Sequence, residues 1–268
     1  MTDARRAVTV VTGASSGLGR GFAERFAARR HDLVLVARRA ERLEEIAASL
    51  RSTHGVAVDV IPADLAEPGA PTRIAQELIA RGLRATGLLN CAGFGTAGTF
   101  AAEDPERIAQ EIAVDVTAPT LLTRILLPDL LDAPHGVLLM VSSTASHQPI
   151  PNLAVYAACK AFLTSLTSAI WQETRGSALR VLAVCPGPTA TEFFDAAGST
   201  QFAVGRIGTT DEVVDATLRI LDRPGGPVAT LGWGNRIQSL GAKLAPRRMT
   251  LRVGQRATER AGSPGTTS

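Results

Sequence analysis

Val10-Val11-Thr12-Gly13-Ala14-Ser15-Ser16-Gly17-Leu18-Gly19 decides the fold. An apolar, β-branched run ends at Thr12, glycines follow at positions 13, 17 and 19, and a helical pattern begins. Glycine lets the backbone turn tightly and come close to a bulky anion. The free N–H groups that open a helix can then receive that anion. The Gly-x-x-x-Gly-x-Gly spacing differs from Gly-x-Gly-x-x-Gly, and alone it fits any tight strand-to-helix turn. Its position at the first strand–helix junction points to a loop that holds a dinucleotide pyrophosphate.

About twenty residues further on, the second apolar run ends in Val36-Ala37-Arg38-Arg39. An acid there would accept from a ribose 2′-OH and favour NAD. Ala37 and two arginines suit a 2′-phosphate instead, because a guanidinium forks onto phosphate oxygens. The expected cofactor is therefore NADP(H) rather than NAD(H), with Arg38 as the reader. Arg39 is equally well read as a solvated charge at a helix start.

Outward from this unit, short apolar runs alternate with helical patterns. Strands are expected at Val8–Thr12, Leu33–Ala37, Ala57–Ile61, Gly87–Asn90, Val137–Ser142, Arg180–Cys185 and Val228–Leu231. Helices are expected near Gly17–Arg30, Glu41–Arg51, Pro71–Arg81, Pro105–Leu131, Leu153–Arg175, Asp211–Asp222 and Ile237–Leu244. Strands apolar on both faces, alternating with helices, predict an α/β protein: a Rossmann-type doubly wound parallel sheet in a single domain. Ligands of such sheets bind at the carboxyl ends of the strands, where strand order reverses. The expected division is a catalytic domain over 1–235, a basic helical extension over 236–260 and a disordered tail over 261–268. The loop Thr189–Thr210, with three glycines, reads as a mobile cover for a site.

A second constellation lies later in the chain. Ser143 follows a predicted strand, Tyr156 comes thirteen residues later and Lys160 four beyond that. Positions i and i+4 share one helix face. A free phenol, with a pKa of ~10, exchanges protons poorly at neutral pH, and a nearby ammonium is expected to lower that value. Tyr156 would then serve as general acid in reduction and base in oxidation. Ser143 could steady the substrate oxygen as charge develops there. Tyr-x-x-x-Lys alone is a common helix-surface pair, so the combination with Ser143 and the glycine loop carries the reading.

Taken in order, Thr12-Gly13-Ala14-Ser15-Ser16-Gly17-Leu18-Gly19, Asp64-Leu65, Asn90-Cys91-Ala92-Gly93, Ser143, Tyr156-Ala157-Ala158-Cys159-Lys160 and Pro186-Gly187-Pro188-Thr189-Ala190-Thr191 resemble the short-chain dehydrogenase/reductase family, to about residue 235. The resemblance implies interconversion of a carbonyl and an alcohol by hydride transfer with a nicotinamide cofactor. It implies that Gly13, Ser15, Ser16, Gly17, Leu18 and Gly19 hold the phosphates, and that Asp64 and Leu65 lie at the adenine. It further implies that Asn90, Ala92 and Gly93 line the cofactor, Lys160 holds the nicotinamide ribose, and Pro186, Gly187, Thr189 and Thr191 flank the nicotinamide. The chain departs from the family twice. Cys91 replaces a second Asn. Asp115, in Val114-Asp115-Val116-Thr117, stands where the catalytic tetrad has an Asn whose carbonyl holds a water linked to the lysine. A buried acid beside Lys160 would change the charge of the site. Phe94, Ser143, His147 and Phe193 are the substrate-pocket candidates, with Phe194 beside them; for the aromatics and His147, plain packing reads equally well.

The chain has 268 residues, 45% hydrophobic and only 4% aromatic, so Ala, Val and Leu must fill the core. The net charge is +3, but residues 236–268 hold seven Lys/Arg against one acid, which makes the extension basic and the remainder slightly acidic. No aromatic interleaving or binding module accompanies that charge, so nucleic acid is not an expected partner. Cys91, Cys159 and Cys185 have no paired spacing and form no metal-ligand pattern with the four histidines, so no metal is expected and a reduced, cytoplasmic setting fits. The amino terminus leads into a short apolar run unlike a signal peptide, and no stretch suits a membrane helix. Ile237, Leu240 and Leu244 form an apolar stripe read first as a helix packed on the domain; an oligomer contact or weak attachment to anionic membrane are the alternatives. Such folds often form homodimers or homotetramers. Two functions follow: an NADP(H)-dependent carbonyl reductase or alcohol dehydrogenase acting on a small molecule, or a cofactor-binding scaffold or redox sensor with little turnover.

Overall fold

The structure is a computed structural model that describes residues 5–190, 192 and 207–262. Seven strands, β1 (Arg6–Thr12), β2 (Leu33–Ala37), β3 (Val58–Pro62), β4 (Leu83–Asn90), β5 (Val137–Val141), β6 (Arg180–Cys185) and β7 (Val228–Thr230), form one parallel sheet in the order β3-β2-β1-β4-β5-β6-β7. The order reverses between β1 and β4, so their carboxyl ends diverge and open a crevice there.

Alternation along the strands explains the two cores. Val11 and Leu35 face one side, where they meet Phe22 and Phe26 of α1 (Gly17–Ala28), Leu43 and Leu50 of α2 (Ala40–His54), and Val214 and Leu218 of a helix over Thr210–Leu221. Val10, Val34 and Val36 face the other side. There they meet Ile74 and Leu78 of α3 (Ala70–Ala80), Leu122 and Leu126 of a helix over Ala118–Leu131, and Leu163 and Ile170 of a helix over Ala154–Glu173. Each fully buried Leu or Val of this kind contributes ~1.5–3 kcal/mol, which is how so few aromatics suffice.

The single helix expected over Pro105–Leu131 is instead three pieces. α4 (Pro105–Ile112) runs into a π turn over Ala113–Thr117, and α5 (Ala118–Leu131) continues from it. The Ala118 N–H reaches back to the Ala113 carbonyl. Pro119 has no N–H to offer the Asp115 carbonyl four residues earlier, so the ordinary ladder cannot continue there. The widened turn buries Asp115 completely. Beyond it come α6 (Ala154–Glu173), α7 (Thr210–Leu221), α8 (Trp233–Leu244) and α9 (Arg247–Gly262).

The carboxy-terminal region differs from expectation in two respects. Helix α9 continues through Gly262, into the expected tail. The apolar stripe does not pack on the domain: Ile237 is 56% and Leu240 60% exposed, and Trp233 joins them on the outer face. Helix α8 turns Ser239 inward instead, and α9 turns Thr250 inward. The Leu244 side chain, residues 263–268 of the expected tail, and most of the expected cover, residues 191 and 193–206, lie outside the described residues. Among the described residues no helix is long and apolar enough to cross a membrane.

Candidate active site

The crevice at the switch point is a cleft of about 690 Å³. One end is built by the glycine loop. Gly13 has a positive φ of 66°, and a Cβ there would lie 2.8 Å from the Ala92 nitrogen; a Cβ at Gly19 would lie 2.3 Å from the Gly13 oxygen. Only glycine allows this approach of β1, α1 and β4. Thr12 completes the joint, its hydroxyl accepting from the N–H groups of Cys91 and Ala92 at 3.0 and 3.2 Å. No side chain caps α1 at Ser16, so its first N–H groups face the cleft as an anion site.

Both arginines of the second strand line this end of the cleft. Arg38 is 76% exposed, with the Asp64 carboxylate 3.9 Å away. Arg39, which the sequence left as a possible solvated charge, is the better anchored. It donates to the Ser15 hydroxyl at 3.1 Å and pairs with Glu192 at 2.9 Å. Glu192 also bonds Ser16, and Arg39 holds its carboxyl below the ordinary range. A carboxylate thus sits among Arg39, Ser15 and Ser16 as an anion would. The closed glycine turn, the uncapped helix and the two guanidiniums fit a phosphorylated dinucleotide.

At the other end Ser143, Tyr156 and Lys160 meet, as their spacing predicts. Ser143 starts the turn Thr144–His147, its hydroxyl accepting from the Ala145 N–H at 3.1 Å, and it bonds Tyr156. Helix α6 places Lys160 one turn beyond Tyr156, with Nζ 5.5 Å from the ring centre. Lys160 Nζ donates to the Val141 carbonyl at 3.3 Å and lies 2.8 Å from Asp115 Oδ2, while Asp115 Oδ1 accepts from the Phe94 N–H at 3.0 Å. Burial opposes both charges of this pair and raises the Asp115 carboxyl. For Lys160 the attraction of Asp115 and Tyr156 outweighs burial and holds the ammonium above its ordinary value.

Burial, with two nearby carboxyls, overturns the expected tyrosine shift. Burial raises the Tyr156 phenol, Lys160 and Ser143 pull it back, and Asp115 and Glu111 push it up again, so the net direction is upward. Lys160 pulls the phenol down, as the sequence implies, but burial with Asp115 and Glu111 outweighs it.

Most other candidates line the cleft: Ser15, Gly17, Leu18, Asp64, Leu65, Ala92, Gly93, Phe94, Pro186, Gly187 and Thr189. Two do not. Asn90 is buried, its amide donating to Thr123 at 3.2 Å and directed into α5 instead of the cleft. His147 turns to β7, where Nε2 and the Thr230 hydroxyl are 3.0 Å apart. Thr191, Phe193 and Phe194 lie outside the described residues. The sequence missed Arg107, stacked 4.1 Å over Phe94, and Asn235, Gln238 and Val253 from the carboxy-terminal helices. No motif marks these residues; only the fold brings them to the rim. Among the described residues no cluster of His, Cys, Asp and Glu could hold a metal.

Gly93 gives a direct check of this packing. A Cβ there would lie 2.9 Å from Lys160 Nζ and 3.0 Å from both Asp115 oxygens. Gly93→Ala should therefore wedge the ion pair apart, lowering stability by ~1–3 kcal/mol with loss of turnover. Thermal melting beside an activity assay measures both.

Comparison with known proteins agrees with this geometry. A short chain dehydrogenase family profile matches residues 7–201. The very-long-chain 3-oxoacyl-CoA reductase-A of Danio rerio is 30% identical over 258 residues, 92% of this chain and 76% of that protein. The sulfoacetaldehyde reductase of Chromohalobacter salexigens is 35% identical over 190 residues, 68% of this chain and 72% of that one. Other curated relatives are longer, and the chain spans 55–60% of their length. A short-chain dehydrogenase from Sphingobium yanoikuyae, solved in complex with NADPH, superposes with a TM-score of 0.78 at 32% identity over 98% of each chain. With its seven-stranded sheet, its glycine turn and these relatives, the chain belongs to the short-chain dehydrogenase/reductase family of oxidoreductases.

Proposed function

We propose that the protein reduces a ketone or aldehyde with NADPH, and runs the reverse oxidation, with Tyr156 as the proton donor and acceptor. One observation carries this reading. Ser143, Tyr156 and Lys160 converge in the same cleft as the open amino terminus of α1 and the Arg38–Arg39 pair. When bound, the cofactor supplies or accepts the hydride. Ser143 steadies the substrate oxygen, Tyr156 gives it a proton, and Lys160 stabilises the phenolate left behind. Phe94, Ile150, Leu153 and Val253 line the same cleft, so the carbonyl should carry an apolar body. All three chemical residues are present and positioned, which speaks against the scaffold or sensor reading.

Arg38, exposed at the cleft edge, and Arg39, tied to Ser15, suit the 2′-phosphate of NADP(H), and the NADPH-bound relative is in keeping with that choice. A charge-assisted bond to phosphate is worth ~1.5–3 kcal/mol, so Arg38→Asp should weaken NADPH binding by about 10–100-fold and leave NADH binding little changed. Turnover of a panel of apolar ketones and aldehydes, with each cofactor, tests both parts. An unchanged cofactor ratio in Arg38→Asp would remove Arg38 from phosphate reading. Failure to reduce any carbonyl would sink the functional reading.

A further inference from the structure

Behind Tyr156 the protein buries more carboxyl groups than the three chemical residues need. Glu111, in the last turn of α4, is fully buried. Its Oε2 accepts from the Thr96 N–H at 3.1 Å and from the Thr96 hydroxyl at 2.5 Å. Its Oε1 is buried with no hydrogen-bond partner among the described residues. Glu103, just after the turn Phe100–Ala102, has both carboxyl oxygens buried and unpartnered in the same sense, although the residue itself is half-buried. Asp115, four residues past Glu111 across the π turn, pairs with Lys160.

Bare, buried carboxylate oxygens are costly, so the site favours the protonated form of Glu111. Burial pushes Glu111 up to about 7, against the pull of Thr96 and with the help of Asp115 and Glu103. The other ionisable groups around it are Tyr156, Cys159 and Lys160 on α6, and Arg107 on its own helix, which lies over the Phe94 ring. Lys160 is committed to Asp115, and burial keeps Cys159 a thiol by pushing it up to about 12.

We propose that Glu103, Glu111 and Asp115 form a carboxyl relay that replaces the proton Tyr156 gives up during carbonyl reduction. This rests on the carbonyl-reductase reading above. The Tyr156 O–H bond breaks as its proton joins the substrate oxygen. An N–H bond of Lys160 then breaks and re-forms the phenol. Glu111 hands its proton to the Asp115 carboxylate, Asp115 passes it to the Lys160 amine, and Glu103 refills Glu111 from solvent. One proton passes from water to the product hydroxyl, and no electrons move along the route. Oxidation runs the same steps backwards. Glu111 and Glu103 touch neither substrate nor cofactor, so they are proton-positioning residues.

Glu111→Gln keeps the side-chain shape and can still bond Thr96, but it cannot release a proton. In reduction its kcat should fall on the order of tenfold, less than direct proton transfer contributes because Tyr156 remains the donor. KM for carbonyl and cofactor should stay unchanged. The wild-type reduction rate should decline as pH rises through about 7, where Glu111 loses its proton, and Glu111→Gln should lack that inflection. Its solvent deuterium isotope effect should be larger. Glu103→Gln, at the half-buried entrance, should show the same changes to a smaller degree. A readout free of turnover is the melting temperature. A carboxyl raised by folding stabilises the fold most at low pH, and that contribution is lost as pH rises through its folded value. That fall should span pH 4.5 to about 7 and level off above it, and Glu111→Gln should abolish it. Wild-type turnover with pH profiles and isotope effects unaltered in both variants overturns the relay and leaves the carbonyl-reductase reading standing. Absence of wild-type turnover on every carbonyl overturns both.

Discussion

Tyr156→Phe should bind NADPH as the wild type does and reduce carbonyls ~10²–10⁴-fold more slowly, the usual contribution of a positioned proton donor. The substitution removes one hydroxyl and keeps the ring that packs beside Lys160. It deletes the proton source and the bond to Ser143, but none of the glycine loop or the arginines that suit the cofactor. Cofactor titration by fluorescence and steady-state turnover separate the two effects. The raised phenol adds a pH signature. An acid whose folded value lies above its ordinary one stays protonated further into alkaline solution. Tyr156 itself should therefore support reduction until the pH exceeds that raised value, and should drive oxidation faster as the pH climbs toward it. Turnover by Tyr156→Phe at the wild-type rate would remove Tyr156 from the chemistry.

Lys160→Met should cost ~3–5 kcal/mol of stability at pH 8, because it strands Asp115 in a site with no solvent contact. The remedy open to Asp115 is to take up a proton. Its folded pKa, already raised by burial, would rise further without Lys160, so the lost stability should return as pH falls. Lys160→Met should thus melt lower than the wild type at pH 8, by roughly 10 °C for a chain this long, and by less at pH 5. Asp115→Asn added to Lys160→Met should recover much of the loss at pH 8, since no buried charge then remains. Chemical denaturation of the single and double variants closes the cycle. A double variant no more stable than Lys160→Met would mean that the pair is not ionised.

These outcomes depend on features that the sequence shows unevenly. The glycine turn and the Ser143, Tyr156 and Lys160 set were legible because each rests on a local rule: a φ that only glycine adopts, or one turn of a helix. The sheet followed from strands apolar on both faces. The break at Ala113–Thr117 was not legible as hydrophobic period, because the apolar positions continue through it. Its signal was Pro119, which withholds a hydrogen bond from Asp115. Arg39 was undervalued because its anchor, Ser15, lies 24 residues earlier and meets it only when α2 starts beside the glycine loop. Asn90 and His147 carry polar groups that suit a cleft, yet tertiary partners, Thr123 and Thr230, claim them. The direction of the Tyr156 shift was missed for the same reason. It depends first on the burial of the phenol and then on the balance of Lys160 and Ser143 against Asp115 and Glu111, which exists only once the fold brings them together.

Hydride transfer to a carbonyl carbon in this cleft is the central step. Reduction of an apolar ketone with NADPH deuterated at the transferable nicotinamide position measures it, read by mass spectrometry and proton NMR of the product. The prediction is an alcohol carrying deuterium at the carbinol carbon and an exchangeable proton on its oxygen, with formation nearly abolished in Tyr156→Phe. An alcohol without carbon-bound deuterium, or no alcohol from any apolar ketone or aldehyde, would contradict the account.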